Sequence, residues 1–238
     1  MKLLLAMALL TTLAAPRYEI ETFPTPGGHK VQITLIKHGT LAINYEGFWI
    51  QIDPVTEHGK HTDYASEFPK ADVILVTHEH GDHLDPAAIA ALSGPGTNVY
   101  LNQWGWAQLG SGEVLQNGDT RQLRADVRLE AVPAYNTTAG REHFHHKGHG
   151  NGYLLTIDGL RIYVAGDTED IPEMEDLSDI DIAFLPVNQP YTMTVDQCVR
   201  AARMIAPKVL IPYHFSGTDL SKLPSRLPGV KVLLRKMQ

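Results

Sequence analysis

The chain of 238 residues has one cysteine, Cys198. A lone thiol excludes an intramolecular disulfide framework and a thiolate zinc cluster alike. Basic residues are few and scattered. No run exceeds two, and 20 Lys and Arg stand against 27 Asp and Glu, a formal net charge of −7. The electrostatic footprint of a nucleic-acid partner is therefore missing. Long apolar runs are missing too, so no segment reads as a transmembrane helix. There is no low-complexity tract, tandem repeat or long linker. What is left is a globular composition, 43% hydrophobic and 20% charged, enough to bury a sizeable core.

At the amino terminus, Met1-Lys2 precedes an apolar stretch over residues 3–13, then Ala14-Ala15-Pro16. One positive residue, a core of about 11 and then small residues form the pattern of a short secretory signal peptide. Residues 1–15 are thus expected to be a signal peptide, and the chain to be exported to the periplasm or medium. Uncleaved, it would be cytoplasmic. Residues 17–238 are expected to form a single domain.

Strands and helices alternate along the chain. Residues 31–36 alternate as a strand. Residues 41–45 and 48–52 flank Glu46-Gly47, and 153–157 and 160–165 flank Asp158-Gly159; both read as hairpins. Residues 73–76, 129–132, 182–185 and 209–211 read as strands. Asp85-Pro86 predicts a capped helix over 86–92, and Thr194 with Gln197 predicts a capping box for a helix over 195–205. Residues 136–151 read as a long polar loop. His78, Asp167 and His214 each fall just after a strand, where a sheet presents functional loops.

Histidine is abundant, 12 in all, and clustered. In Thr77-His78-Glu79-His80-Gly81-Asp82-His83, four ligand-type residues occupy six positions. His78 and His80, two apart, share a side in an extended segment. Gly81 permits a turn that brings Asp82 and His83 to a second position. Imidazoles with carboxylates suit zinc, and also iron or manganese. A pair of ions about 3.5–4 Å apart needs a bridging oxygen and further histidines, which Asp167 and His214 supply.

This run, His78-x-His80-x-Asp82-His83, resembles the HxHxDH signature of the metallo-β-lactamase superfamily. The likeness continues through a histidine-containing loop, Gly166-Asp167 and a late His214. Ala134-Tyr135-Asn136, Phe144-His145-His146-Lys147-Gly148 and Tyr191-Thr192-Met193-Thr194 are similar to motifs of the branch that includes L-ascorbate-6-phosphate lactonase. The resemblance implies a mixed α/β fold, a four-layer αββα sandwich. It implies two divalent ions, Zn2+ first and Mn2+ or Fe2+ as alternatives. One would be held by His78, His80 and a loop histidine, the other by Asp82, His83 and His214, with Asp167 bridging. Among His143, His145, His146 and His149, the Phe-His-x-Lys-Gly context selects His145. A water or hydroxide between the ions is the implied nucleophile, with Asp82 as the catalytic carboxylate. Cys198 matches no ligand position and reads as a small buried residue. His80 stands where redox di-iron relatives carry glutamate, which favours hydrolysis.

The expected activity is hydrolysis of an ester or lactone in a small-molecule substrate. The alternatives are a phosphoester or phosphodiester hydrolase, or a metal-binding or sensing protein without turnover. Asp53 is expected to support the metal loop. Asn136, Tyr191 and Tyr213 are weighed as substrate contacts, and His38 as a wall of the site. Lys147 is weighed equally for substrate and solvent. Trp104 and Trp106 are expected in the core, and His29, His58 and His61 on the surface.

Overall fold

The computed structural model describes residues 17–237. The expected signal segment lies outside them. Among the described residues, no helix is long and apolar enough to cross a membrane.

Two seven-stranded sheets are built by the two halves of the chain in turn. The first holds β1 (Glu19–Pro24), β2 (Lys30–Lys37), β3 (Thr40–Tyr45), β4 (Phe48–Ile52), β5 (Val73–Leu75), β6 (Asn98–Leu101) and β7 (Glu113–Val114), neighbours in sequence order. The second holds β8 (Thr120–Arg124), β9 (Val127–Ala134), β10 (Gly150–Ile157), β11 (Leu160–Val164), β12 (Ile182–Pro186), β13 (Val209–Tyr213) and β14 (Lys231–Val232). Each begins with antiparallel strands and continues with parallel ones. Parallel neighbours need crossover connections, and these carry the helices: α1 (Tyr64–Glu67), α2 (Pro86–Leu92), α3 (Gln103–Leu109), α4 (Val195–Ile205) and α5 (Leu223–Arg226), with a 3-10 helix at Pro172–Asp176.

Alternation along the strands decides the layers. Ile33, Ile43 and Ile50 of the first sheet meet Leu155, Ile162 and Phe184 of the second in one central core. The opposite faces are apolar as well. Ile74 and Val76 pack under Ala88, Ile89 and Leu92 of α2. Ala183 and Leu185 pack under Cys198, Ala201 and Ala202 of α4. Helix, sheet, sheet and helix therefore stack as four layers.

Local chemistry sets the helix ends. Asp85 accepts the Ala87 amide at 2.8 Å ahead of Pro86. Thr194 and Gln197 form a reciprocal capping box and start α4 at Val195. The polar loop is shorter than expected, because Gly150 and Asn151 already pair with Ala134 and Pro133. The tryptophans also depart from expectation. They lie on α3 at either side of Gly105, the residue that faces the core, and are left 39% and 41% exposed. A Cβ at Gly105 would meet Leu84 at 3.1 Å, so the close packing falls to the glycine and both indoles turn outward.

Candidate metal centre

One end of the sandwich collects the loops that follow β2, β4, β5, β9, β11 and β13. Three strand-end residues there, His38, Asp53 and His214, have φ of +44°, +46° and +47°. Such left-handed conformations cost about 1–3 kcal/mol and persist where the surroundings over-determine them. Gly39 follows the first of them. A Cβ at Gly39 would come within 2.8 Å of the His83 ring, so glycine is what lets β2 and β3 approach the histidine.

Two sets of donors converge. His78 Nε2 and His80 Nδ1 are 3.0 Å apart, and His145 completes their group. Asp82, His83 and His214 form the other, joined by His38. Asp167 lies between. Its carboxylate is 3.3 Å from His145 Nε2, 3.3 Å from His214 Nε2, 3.4 Å from His83 Nε2 and 3.9 Å from His78 Nε2. Asp82 Oδ2 is 3.6 Å from His214 Nε2 and 3.7 Å from His83 Nε2. Tetrahedral zinc with bonds of about 2.0–2.1 Å separates its donors by roughly 3.3 Å.

The donors suit a cation. Nε2 of His83, His145 and His214 and Oδ1 of Asp167 are buried without a hydrogen-bond partner. Leaving one such atom unpaired costs about 1–3 kcal/mol. A metal ion would take up these lone pairs together. Electrostatics agrees. Burial opposes a charge on His83, but Asp167, Asp53 and Asp82 outweigh it and raise its pKa to about 10. Burial likewise opposes ionisation of Asp167, yet His214, His83 and His145 hold its carboxyl well below the usual range. His78, by contrast, is driven well below its ordinary value, first by burial and then by His83.

Further groups aim the donors. Asp53 takes the Thr77 amide and hydroxyl and lies 2.7 Å from His83 Nδ1. Thr77 Oγ1 faces His78 Nδ1 at 3.0 Å, and His145 Nδ1 faces the Tyr191 carbonyl at 3.1 Å. Such contacts fix ring orientation and the nitrogen that is free to bind. The ring of His214 packs against that of His38, tilted by 39° with centroids 3.6 Å apart.

A cavity of about 430 Å3 opens over the donors and is walled by Phe144, Asn188, Tyr191 and Ser216. Several sequence-derived candidates sit differently. Of the loop histidines, only His145 reaches Asp167. His143 packs on Phe144, and His149 stacks on Trp104 at 3.6 Å. Asn136 is buried, and its amide donates to the Tyr191 and Arg141 carbonyls, which ties two loops together. Tyr213 is fully buried, and its hydroxyl accepts the Gly166 amide in the core. Lys147 turns away to Glu173 and Tyr135.

His58, expected on the surface, lines the cleft with its ring 3.9 Å from that of His38. His38 itself is buried and lies 3.1 Å from Asp82 Oδ2; burial is the main cause that lowers its pKa to about 4. His38 thus takes the wall position weighed for it at a strand end, whereas His58 has no local signal and reaches the site only through the loop that carries it.

The model of the Beta-lactamase superfamily domain matches residues 32–214, and the chain belongs to that superfamily, in its metallo-β-lactamase branch. A crystal structure from Parabacteroides distasonis, designated a metal-dependent hydrolase, is 53% identical. It superposes with a TM-score of 0.89 over 93% of this chain and 100% of its own. A metal-dependent hydrolase of Ligilactobacillus salivarius is 35% identical over 193 residues, 78% of this chain and 85% of that protein. Igni18, a metallo hydrolase from Ignicoccus hospitalis, shares the fold at 23% identity and a TM-score of 0.71. The chain is thus a metal-dependent hydrolase with a histidine and aspartate cluster able to bind metal.

Proposed function

We propose that this protein is a dinuclear hydrolase that cleaves an ester or lactone in a small-molecule substrate. The observation that carries the reading is the convergence of His78, His80 and His145 on one side of Asp167, and of Asp82, His83 and His214 on the other. Imidazoles with two carboxylates favour zinc, with manganese or iron as alternatives. Bound divalent ions would supply Lewis acidity, activating water near neutral pH and polarising the scissile carbonyl.

The chain's own groups do the rest. Asp82 is 34% exposed where Asp167 is 4%, so Asp82 is the cluster carboxylate open to the cleft. Burial opposes its ionisation, but His214 and His38 beside it prevail and hold it ionised, able to orient the attacking water and take its proton. Asp167 is enclosed and suits the bridging role. Phe144 and Tyr191 border the cleft and limit water around the reacting group.

The test pairs elemental analysis of protein purified without chelator with a hydrolysis screen over lactones, carboxylic esters, phosphodiesters and amides. Two ions per chain and turnover of an ester or lactone support the proposal. Occupancy that stays at one under metal excess removes the two-ion reading. Preferred cleavage of phosphodiesters makes it a phosphodiesterase, and two bound ions without turnover make it a binding protein.

A further inference from the structure

A second cavity of about 220 Å3 adjoins the metal centre. Lys37, His58, Lys60 and Lys236 line it, and no Asp or Glu does, although the chain as a whole is acidic. The two cavities share His38, His58, His214 and Ser216. The rings of His58, His38 and His214 follow one another at 3.9 and 3.6 Å. They pave one continuous cleft with Asp82 and Asp167 at one end and lysines at the other.

Among the described residues, these lysines have no counter-ion, and the lysines that make ion pairs are Lys147 and Lys208. Lys37 is 2% exposed, and its Nζ donates to the carbonyls of Thr56 and Lys60. These bonds brace the loop that carries His58 and Lys60, and they leave an ammonium beneath the cavity without a carboxylate. Two carboxylates on the flanking segments are engaged elsewhere: Glu57 with His61, and Glu19 with the Lys236 amide. An ammonium withdrawn from water without a counter-ion is costly, and an anion in the cavity would offset that cost.

We propose that the lysine end of the cleft binds an anionic substituent of the substrate, a carboxylate or a phosphate, through Lys60 and Lys236. The anchored substrate then lays its scissile bond over Asp82 and Asp167. This rests on the hydrolase reading and extends it from the bond cleaved to the charge of the molecule that carries it.

Two measurements on the zinc-loaded protein test it, comparing wild type with the Lys60→Gln, Lys236→Gln double variant. Both side chains are exposed, so the fold should survive. In calorimetry with inorganic phosphate, the double variant is expected to bind roughly tenfold more weakly, and the wild-type affinity to fall with salt. Equal affinity, which is what coordination to the ions alone would produce, overturns the proposal, as does absence of binding to wild type. In kinetics, the ratio of kcat/KM for the 4-nitrophenyl monoester of adipate to that for 4-nitrophenyl hexanoate is expected to fall roughly tenfold. An unchanged ratio overturns the proposal. If neither ester is cleaved, the hydrolase reading on esters fails, while the phosphate measurement still decides the anion site.

Discussion

Asp53 Oδ2 lies 2.7 Å from His83 Nδ1, and neither side chain has any solvent exposure. The contact turns Nε2 of His83 toward Asp167. Asp53 also receives the Thr77 amide and hydroxyl, so one carboxylate at the end of β4 orients the histidine run at the end of β5.

Asp53→Asn should therefore weaken metal binding by about 10–100-fold, since it removes the charge behind a ligand and not the ligand itself. Competition against a chromophoric chelator measures this, with circular dichroism as the check on folding. Wild-type affinity in a folded variant would show that Asp53 has no hold on the metal loop.

The loop histidines should separate cleanly. His145→Ala is expected to lose one bound ion, whereas His143→Ala, His146→Ala and His149→Ala should keep two, because their rings pack away from Asp167. Elemental analysis of the four variants decides, and loss of an ion from any of the other three would move the assignment.

The two carboxylates should differ in kind. Asp167→Ala is expected to lower metal content. Asp82→Asn should cut turnover by about 10²–10⁴-fold, the range for loss of an acid–base group, with at least one ion retained. Turnover near wild type in Asp82→Asn would remove its catalytic role.

Acid should release the metal. Imidazole ligands bind only when neutral, and Asp167, Asp53 and Asp82 hold a proton on His83 up to about 10, so protons compete with the metal there and affinity falls as pH falls. Titrating free zinc at about pH 8 and about pH 6, both on the protonated side of that value, tests this. An affinity independent of pH over the interval would argue against histidine-rich coordination.

Thr194→Ala should cost about 0.5–2 kcal/mol of stability by removing the capping-box acceptor at the start of α4. Denaturant unfolding of wild type and variant measures it. An unchanged midpoint would show that packing on the second sheet alone holds the helix.

Features that depend on neighbouring residues are legible in the sequence. The bounds of α2 and α4 follow from their caps, and the turns at Glu46-Gly47 and Asp158-Gly159 from residues that tolerate positive φ. Short segments are not legible in this way. Strands β1, β7, β8 and β14 are the sheet edges and bury too little to show an apolar run, β6 has four residues, and α3 is hidden because its buried position is a glycine. Helical spacing says which residues share a face, but it does not say which face meets the core. Trp104 and Trp106 are large and apolar, so residue type points them inward, and only the packing of Gly105 against Leu84 turns them out.

By itself the sequence determined the donor chemistry: four ligand-type residues in six positions, with a carboxylate and a histidine each held at a strand end far along the chain. Those are properties of residue type and local conformation. Only the tertiary structure decided which groups meet. His38, His58 and His214 are distant in sequence, yet their rings pack in series, and His145, the histidine that the family resemblance selects, is the loop histidine that reaches Asp167. The physical reason is that a sheet's register and the packing of two sheets face to face set distances between loops, and these depend on long-range pairing that no local period encodes.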